Sequence, residues 1–95
     1  MGQVYVGDKD FDIPFVSGED LTAMTGVDMQ ITRHRKRITN AFLPSEFNTV
    51  GVGDSLVYTV RAGDIDEPGW YNLQVIAYPL GGRIAFDPLV IKVKG

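Results

Sequence analysis

The stretch that decides the fold is EPGWYNLQVIAY, residues 67–78. It opens on a turn signal and continues into an uncharged run of β-branched and aromatic residues, which is typical of a strand. Successive side chains of a strand point to opposite faces. One face carries Tyr71, Leu73, Val75 and Ala77, and the other carries Trp70, Asn72, Gln74, Ile76 and Tyr78. The stretch therefore predicts a strand with one face in the core.

The spacing Glu67-x-Gly69-x-Tyr71 at the start of this stretch resembles the tyrosine corner of immunoglobulin-like folds. In that motif the ring enters the core and the hydroxyl bonds back to the upstream backbone. Leu73 falls where antibody domains place their second cysteine. A generic buried tyrosine is the alternative, and in both interpretations Tyr71 is structural.

Similar short runs recur along the chain, with Gly, Pro, Asn and Asp between them. The predicted strands are residues 3–6, 11–16, 27–33, 38–43, 55–60, 70–78 and 83–94, the last interrupted at 87–88. Pro14 predicts an edge strand or a bulge for 11–16, and residues 17–26 are a loop with one helical turn. About seven strands predict an all-β fold, an immunoglobulin-like antiparallel sandwich of two sheets. A barrel is the alternative.

Size and composition predict one domain, residues 1–95. The chain is 44% hydrophobic and lacks cysteine, so a packed core or partners must stabilise it without disulfides. The net charge of −3 disfavours a nucleic-acid partner. Neither a signal peptide nor an apolar run long enough to span a bilayer is apparent, so we expect synthesis in a cytoplasm and no membrane partner.

Candidate chemistry is sparse. Asp8-x-Asp10-x-Asp12 resembles the start of a calcium loop, but Ile13 stands where the EF-hand requires glycine. A second acidic group, Asp64, Asp66 and Glu67, is interpreted as capping and solvating a turn. The one histidine, His34, lies among four cations with no carboxylate beside it. The sequence therefore predicts no enzyme, no metal site and no cofactor.

Two features suggest protein contacts. The run of residues 33–37 reads RHRKR and predicts an exposed hairpin tip, which could meet an acidic patch or simply be solvated. Aromatic residues of the 70–78 strand form the second feature, if that face is uncovered. The candidate partner contacts are Arg33, Arg35, Lys36, Arg37, Trp70 and Tyr78. Of Ile76 and Trp70, we expect Ile76 to be the one buried in the core.

A longer pattern resembles small structural proteins of tailed bacteriophages and prophages. It comprises Val6-Gly7-Asp8, Gly18-Glu19-Asp20-Leu21-Thr22, Tyr58-Thr59, Gly63-Asp64-Ile65-Asp66, then Gly69, Tyr71, Leu73 and Gln74. It is similar to the immunoglobulin-like N-terminal domain of phage baseplate upper proteins, which anchors a receptor-binding appendage to the virion. Residues 34–37 replace the Pro-Asp-Gly type of turn usual in that family. Because the sequence ends at Gly95, we expect no receptor-binding appendage on this chain.

The resemblance implies a structural protein located in the virion, after synthesis in the host bacterial cytoplasm. It would be a capsid decoration or cement protein, or a tail or baseplate adaptor, in a homo- or hetero-oligomer with other virion proteins. The alternative is a free-standing module that binds a carbohydrate or a protein through the aromatic face of residues 70–78.

Overall fold

A computed structural model describes residues 4–95 of the chain. Eight strands and one short helix lie within them. In chain order they are β1 (Val4–Tyr5), β2 (Asp12–Val16), β3 (Gly26–Arg33), β4 (Lys36–Ala41), α1 (Pro44–Phe47), β5 (Ser55–Thr59), β6 (Gly69–Tyr78), β7 (Ile84–Ala85) and β8 (Leu89–Lys94). The predicted strand 3–6 corresponds to β1, and its residue 3 lies outside the described residues.

The strands form two separate sheets, as an all-β sandwich requires, instead of one closed barrel. The larger sheet has the order β1-β8-β6-β3-β4, with β7 also pairing with β6. The smaller sheet is the pair β2-β5. The contact of β1 with β8 is parallel, and every other strand pair among the described residues is antiparallel. The predicted strand 83–94 is divided into β7 and β8.

The core lies between the two sheets and follows the predicted alternation. On β6, Tyr71, Leu73, Val75 and Ala77 are buried, each at most 2% exposed. The other two main contributors are β3 and β5, whose buried side chains are Val27, Met29, Ile31, Leu56 and Tyr58. Burial of these large apolar side chains is the main favourable term in folding, at roughly 1.5–3 kcal/mol each.

Strand β2 is an edge strand, as Pro14 predicts. At one end, the carbonyl oxygen of Phe11 accepts a hydrogen bond from the N–H of Val60 at 2.9 Å. At the other end, Ser17 donates its N–H to the carbonyl oxygen of Asp54 at 2.9 Å. Backbone groups alternate in direction along an antiparallel strand, so odd-numbered residues face β5 and residues 12, 14 and 16 face outward. Pro14 therefore lacks its N–H on the open side, where no ladder bond is lost.

Two local predictions differ from the structure. Residues 17–25 form a loop with one turn, in which Met24 donates its N–H to the carbonyl oxygen of Leu21 at 3.3 Å, but the helix of the described residues is α1. Pro44 suits the first helical turn because it needs no N–H there, and Glu46 accepts a hydrogen bond from the N–H of Leu43 at 2.7 Å. The fourth strand runs over Lys36–Ala41, two residues earlier than the predicted 38–43.

Candidate interaction surfaces

The predicted tyrosine-corner residues lie together at the start of β6. The Tyr71 hydroxyl donates a hydrogen bond to the carbonyl oxygen of Glu67 at 2.7 Å and accepts one from its N–H at 3.1 Å. Gly69 adopts a φ of +132°, which suits glycine. Since the ring is buried and the hydroxyl is fully engaged, Tyr71 fixes the turn before β6 and is not available to a ligand.

Arg33 does not lie on an exposed tip, which corrects the prediction for residues 33–37. It ends β3, and its side chain is only 11% exposed. Its guanidinium forms an ion pair with Glu67 at 2.7 Å and lies 5.9 Å from the ring centroid of Tyr71. This cation is held inside the fold by the turn that contains the tyrosine corner.

The actual hairpin turn comprises only His34 and Arg35, because Arg33 pairs with Lys36 across the two strands. His34 adopts a left-handed φ of +52° at this turn. Lys36 forms an ion pair with Asp66 at 2.8 Å. Its hydrogen bond to Asp66, reinforced by charge attraction, raises the pKa of the Lys36 ammonium, and the same bond lowers the pKa of the Asp66 carboxyl.

Two cations of the run are left for a partner, namely Arg35 and Arg37. Both are exposed, and neither forms an ion pair within residues 4–95. We call this pair the free tip.

Asp64 caps the turn at residues 61–64, as predicted, but its burial corrects the prediction that all three acidic residues are solvated. It is only 4% exposed. Its carboxylate accepts hydrogen bonds from the Tyr58 hydroxyl, from Asn40 Nδ2 at 2.9 Å and from the N–H of Arg61 at 2.9 Å. Asn40 also donates to the Tyr58 hydroxyl at 2.8 Å. Burial, together with the bond to Asp64, raises the pKa of Tyr58.

The outer face of the larger sheet is open around Trp70. The indole is 63% exposed, and Lys92 Nζ lies 5.6 Å from its ring centroid. Val90, on the same face of β8, is 54% exposed. We call Trp70, Val90 and Lys92 the Trp70 face. Its centre is a large exposed aromatic ring, and aromatic residues are enriched at protein interfaces.

Tyr78 does not belong to this surface. It is half-buried and lies eight residues from Trp70 along one strand, a span of about 26 Å. Between them, Ile76 is fully buried, as expected. Because two rings so far apart cannot stack on neighbouring sugar units, the structure does not bring Trp70 and Tyr78 together as one carbohydrate site.

A groove of about 430 Å³ opens between the two sheets, on the side where β2 and β7 end. Its apolar lining includes Phe15, Val16, Ile84 and Phe86, and its two carboxylates are those of Glu19 and Asp87. We call it the acidic groove. Neither carboxylate forms an ion pair within residues 4–95.

An unpaired strand edge lies on each side of the acidic groove. One is the edge of β2 at Val16, whose backbone faces away from β5. The other is the edge of β7 at Ala85. Phe86 donates its N–H to β6 at 2.9 Å, so alternation turns the backbone of Ala85 away from β6. The sequence did not predict this groove, because the groove forms between two strand edges and the order of strands in the sheets is needed to identify those edges.

Two carboxylates of the calcium-like segment 8–12 accept hydrogen bonds from the chain itself. Asp8 accepts a hydrogen bond from the N–H of Tyr5 at 2.9 Å, and Asp12 accepts one from Thr59 at 2.6 Å. Residues 4–95 hold no group of three or more His, Cys, Asp or Glu side chains placed to bind a metal ion. They also contain no helix long and apolar enough to cross a membrane.

The three comparisons with known proteins gave the same result. The chain matches no family model, no curated protein sequence and no solved structure.

Proposed function

We propose that this chain is a structural protein of a tailed-bacteriophage virion, acting as a capsid decoration or cement protein or as a tail or baseplate adaptor. Its partners are other virion proteins, and the particle is its location. We further propose that the sandwich is immunoglobulin-like. The strand order supports this, since β1-β8-β6-β3-β4 faces β2-β5 with a tyrosine corner at the start of β6.

The observation that carries the proposal is the role of the motif residues in the fold. Tyr58 and Asp64 belong to the phage-like pattern, and they bond to each other in the core. Tyr71 belongs to it too, and its hydroxyl closes the turn before β6. The spacing of Tyr58, Asp64 and Tyr71 favours one conformation of the connection from β5 to β6. We therefore expect a protein with the same spacing to have the same arrangement of these strands.

The Trp70 face supplies the means of holding a partner. A large aromatic ring that is 63% exposed gains burial only through association. Tryptophan is also enriched among residues whose truncation weakens an interface most. Binding to neighbours in a particle would in turn stabilise a small domain that has no disulfide.

Mass spectrometry of purified particles tests the proposal. Particles produced from the genome that encodes the chain should contain it, and the variant Trp70→Ala should be depleted from them. Leu80→Ala is the matched control, because Leu80 is 91% exposed in the turn at the other end of β6. Absence of the wild-type chain from particles would overturn the proposal.

A further inference from the structure

We propose that the chain associates with itself, the free tip of one copy inserting into the acidic groove of the next. The free tip lies at the end of the β3–β4 hairpin, with the guanidinium group of Arg35 in the turn and that of Arg37 near the start of β4. The acidic groove is concave and carries the carboxylates of Glu19 and Asp87. Each surface lacks ion-pair partners within its own described chain.

Charge sorting within the hairpin supports this pairing. Of its four cations, Arg33 and Lys36 are neutralised by Glu67 and Asp66. The two that project without a partner are the two at the free tip. Contacts between such cations and the two groove carboxylates would be complementary in number and in sign, which favours specific association.

The acidic groove also suits an extended segment on steric grounds. Its apolar residues Phe15, Ile84 and Phe86 are only half-buried in the single chain. The two unpaired edges, at Val16 and Ala85, present backbone groups that an incoming strand can bond. Strand β4 is itself an edge of the larger sheet. The N–H of Phe42 bonds to β3 at 2.8 Å, and backbone groups alternate in direction along the strand. The backbone of Arg37 therefore faces away from β3 and is open to an incoming strand.

The two surfaces cannot meet within one molecule. The tip lies beside the start of β6, where Thr32 pairs with Asn72, whereas the groove lies beside its end, where Ala85 pairs with Ile76. They also occupy opposite edges of the larger sheet. The contact is therefore between different patches of two copies, and repetition of such a contact builds a ring or a filament.

Sedimentation and light scattering of the purified chain, over a wide range of protein concentration, test this association. The average molecular mass of wild type should rise with protein concentration at low salt. At high salt it should fall towards that of the monomer, because salt screens exposed charge pairs. Two charge-reversed double variants, Arg35→Glu/Arg37→Glu and Glu19→Lys/Asp87→Lys, should each have an association constant lower by a factor of about ten or more. Lys9→Glu/Lys94→Glu is the matched control, since it reverses two exposed cations elsewhere and should associate like wild type.

A mixture of the two charge-reversed variants makes the test specific. The acidic tip of one then meets the basic groove of the other, so mixing should restore the complexes that each variant lacks. A monomeric wild type at all concentrations and salt levels would overturn the proposal, and so would association that both variants retain. The test needs no particle, so its failure is distinguishable from a failure of the virion proposal.

Discussion

The hydroxyl of Tyr58 donates a hydrogen bond to the buried carboxylate of Asp64, joining the end of β5 to the turn that leads into β6. Asn40, on β4, donates to both partners. These polar groups thus join β4 both to β5 and to the turn that follows β5. A buried carboxylate is costly unless its hydrogen bonds are satisfied, so this cluster specifies the turn geometry strongly.

Removal of the Tyr58 hydroxyl should destabilise the fold. In Tyr58→Phe the ring still packs against Phe42, with centroids 5.6 Å apart, but Asp64 loses one donor. The expected loss in the free energy of unfolding is about 1–3 kcal/mol, the cost of leaving a buried polar group short of a partner. Urea denaturation measures it, and Tyr78→Phe, whose hydroxyl makes no hydrogen bond in the described chain, should change stability little.

The burial of Tyr58, together with its bond to Asp64, predicts a response to alkaline pH. The pKa of Tyr58 is raised in the fold, while an unfolded tyrosine has a pKa of about 10. Above pH 10 the unfolded chain therefore releases a proton that the folded chain keeps, and stability falls by about 1.4 kcal/mol per pH unit. Below pH 10 this contribution is fully present.

Because other groups also titrate at high pH, the informative quantity is the difference between wild type and Tyr58→Phe. The stability gap between them should narrow as pH rises above 10, since the variant has no proton to lose at this position. A gap that stays constant across this range in denaturation curves would contradict the assignment.

Loss of the tyrosine corner should be similarly costly. Tyr71→Phe removes both hydrogen bonds to the Glu67 backbone while leaving the apolar ring in the core. At about 0.5–1.5 kcal/mol for each bond, we expect a loss of about 1–3 kcal/mol in the free energy of unfolding. Thermal unfolding followed by circular dichroism reports it, and an unchanged midpoint would show that the turn holds without Tyr71.

Two arginines two residues apart should behave differently. Arg33→Ala removes an ion pair to Glu67 and the packing of a nearly buried side chain against Tyr71, so it should destabilise the fold by about 1–2 kcal/mol. Arg35→Ala, at the exposed turn, should stay within about 0.5 kcal/mol of wild type. Equal effects of the two substitutions in urea denaturation would contradict the division of this run into a structural part and a free tip.

Period-2 alternation was a sound guide to the core. It predicted which face of β3 and β5 is buried, because a strand offers only two faces and one of them is apolar in both cases. It also identified Pro14 as an edge residue, since a proline cannot serve a central ladder. On β6 the tyrosine-corner spacing indicated the Tyr71 face, and Ile76 is buried on the other face. These predictions rest on local geometry alone.

Features that depend on tertiary contacts could not be predicted in the same way. The run at residues 33–37 looks uniformly exposed in sequence, yet Arg33 is covered because Glu67 arrives beside it from a distant turn. Asp64 likewise looks like a solvated turn residue until Tyr58 and Asn40 meet it. One signal for the latter was present: Tyr58 falls on the inward face of β5, and a buried hydroxyl requires a partner.

The claim on which the functional account depends is that this sandwich sits in a virion and holds a neighbour through its Trp70 face. An image reconstruction of the intact particle measures this directly. The account predicts density for the two-sheet domain with the indole of Trp70 covered by another virion protein. Particles without this density, or with Trp70 turned to solvent, would contradict it.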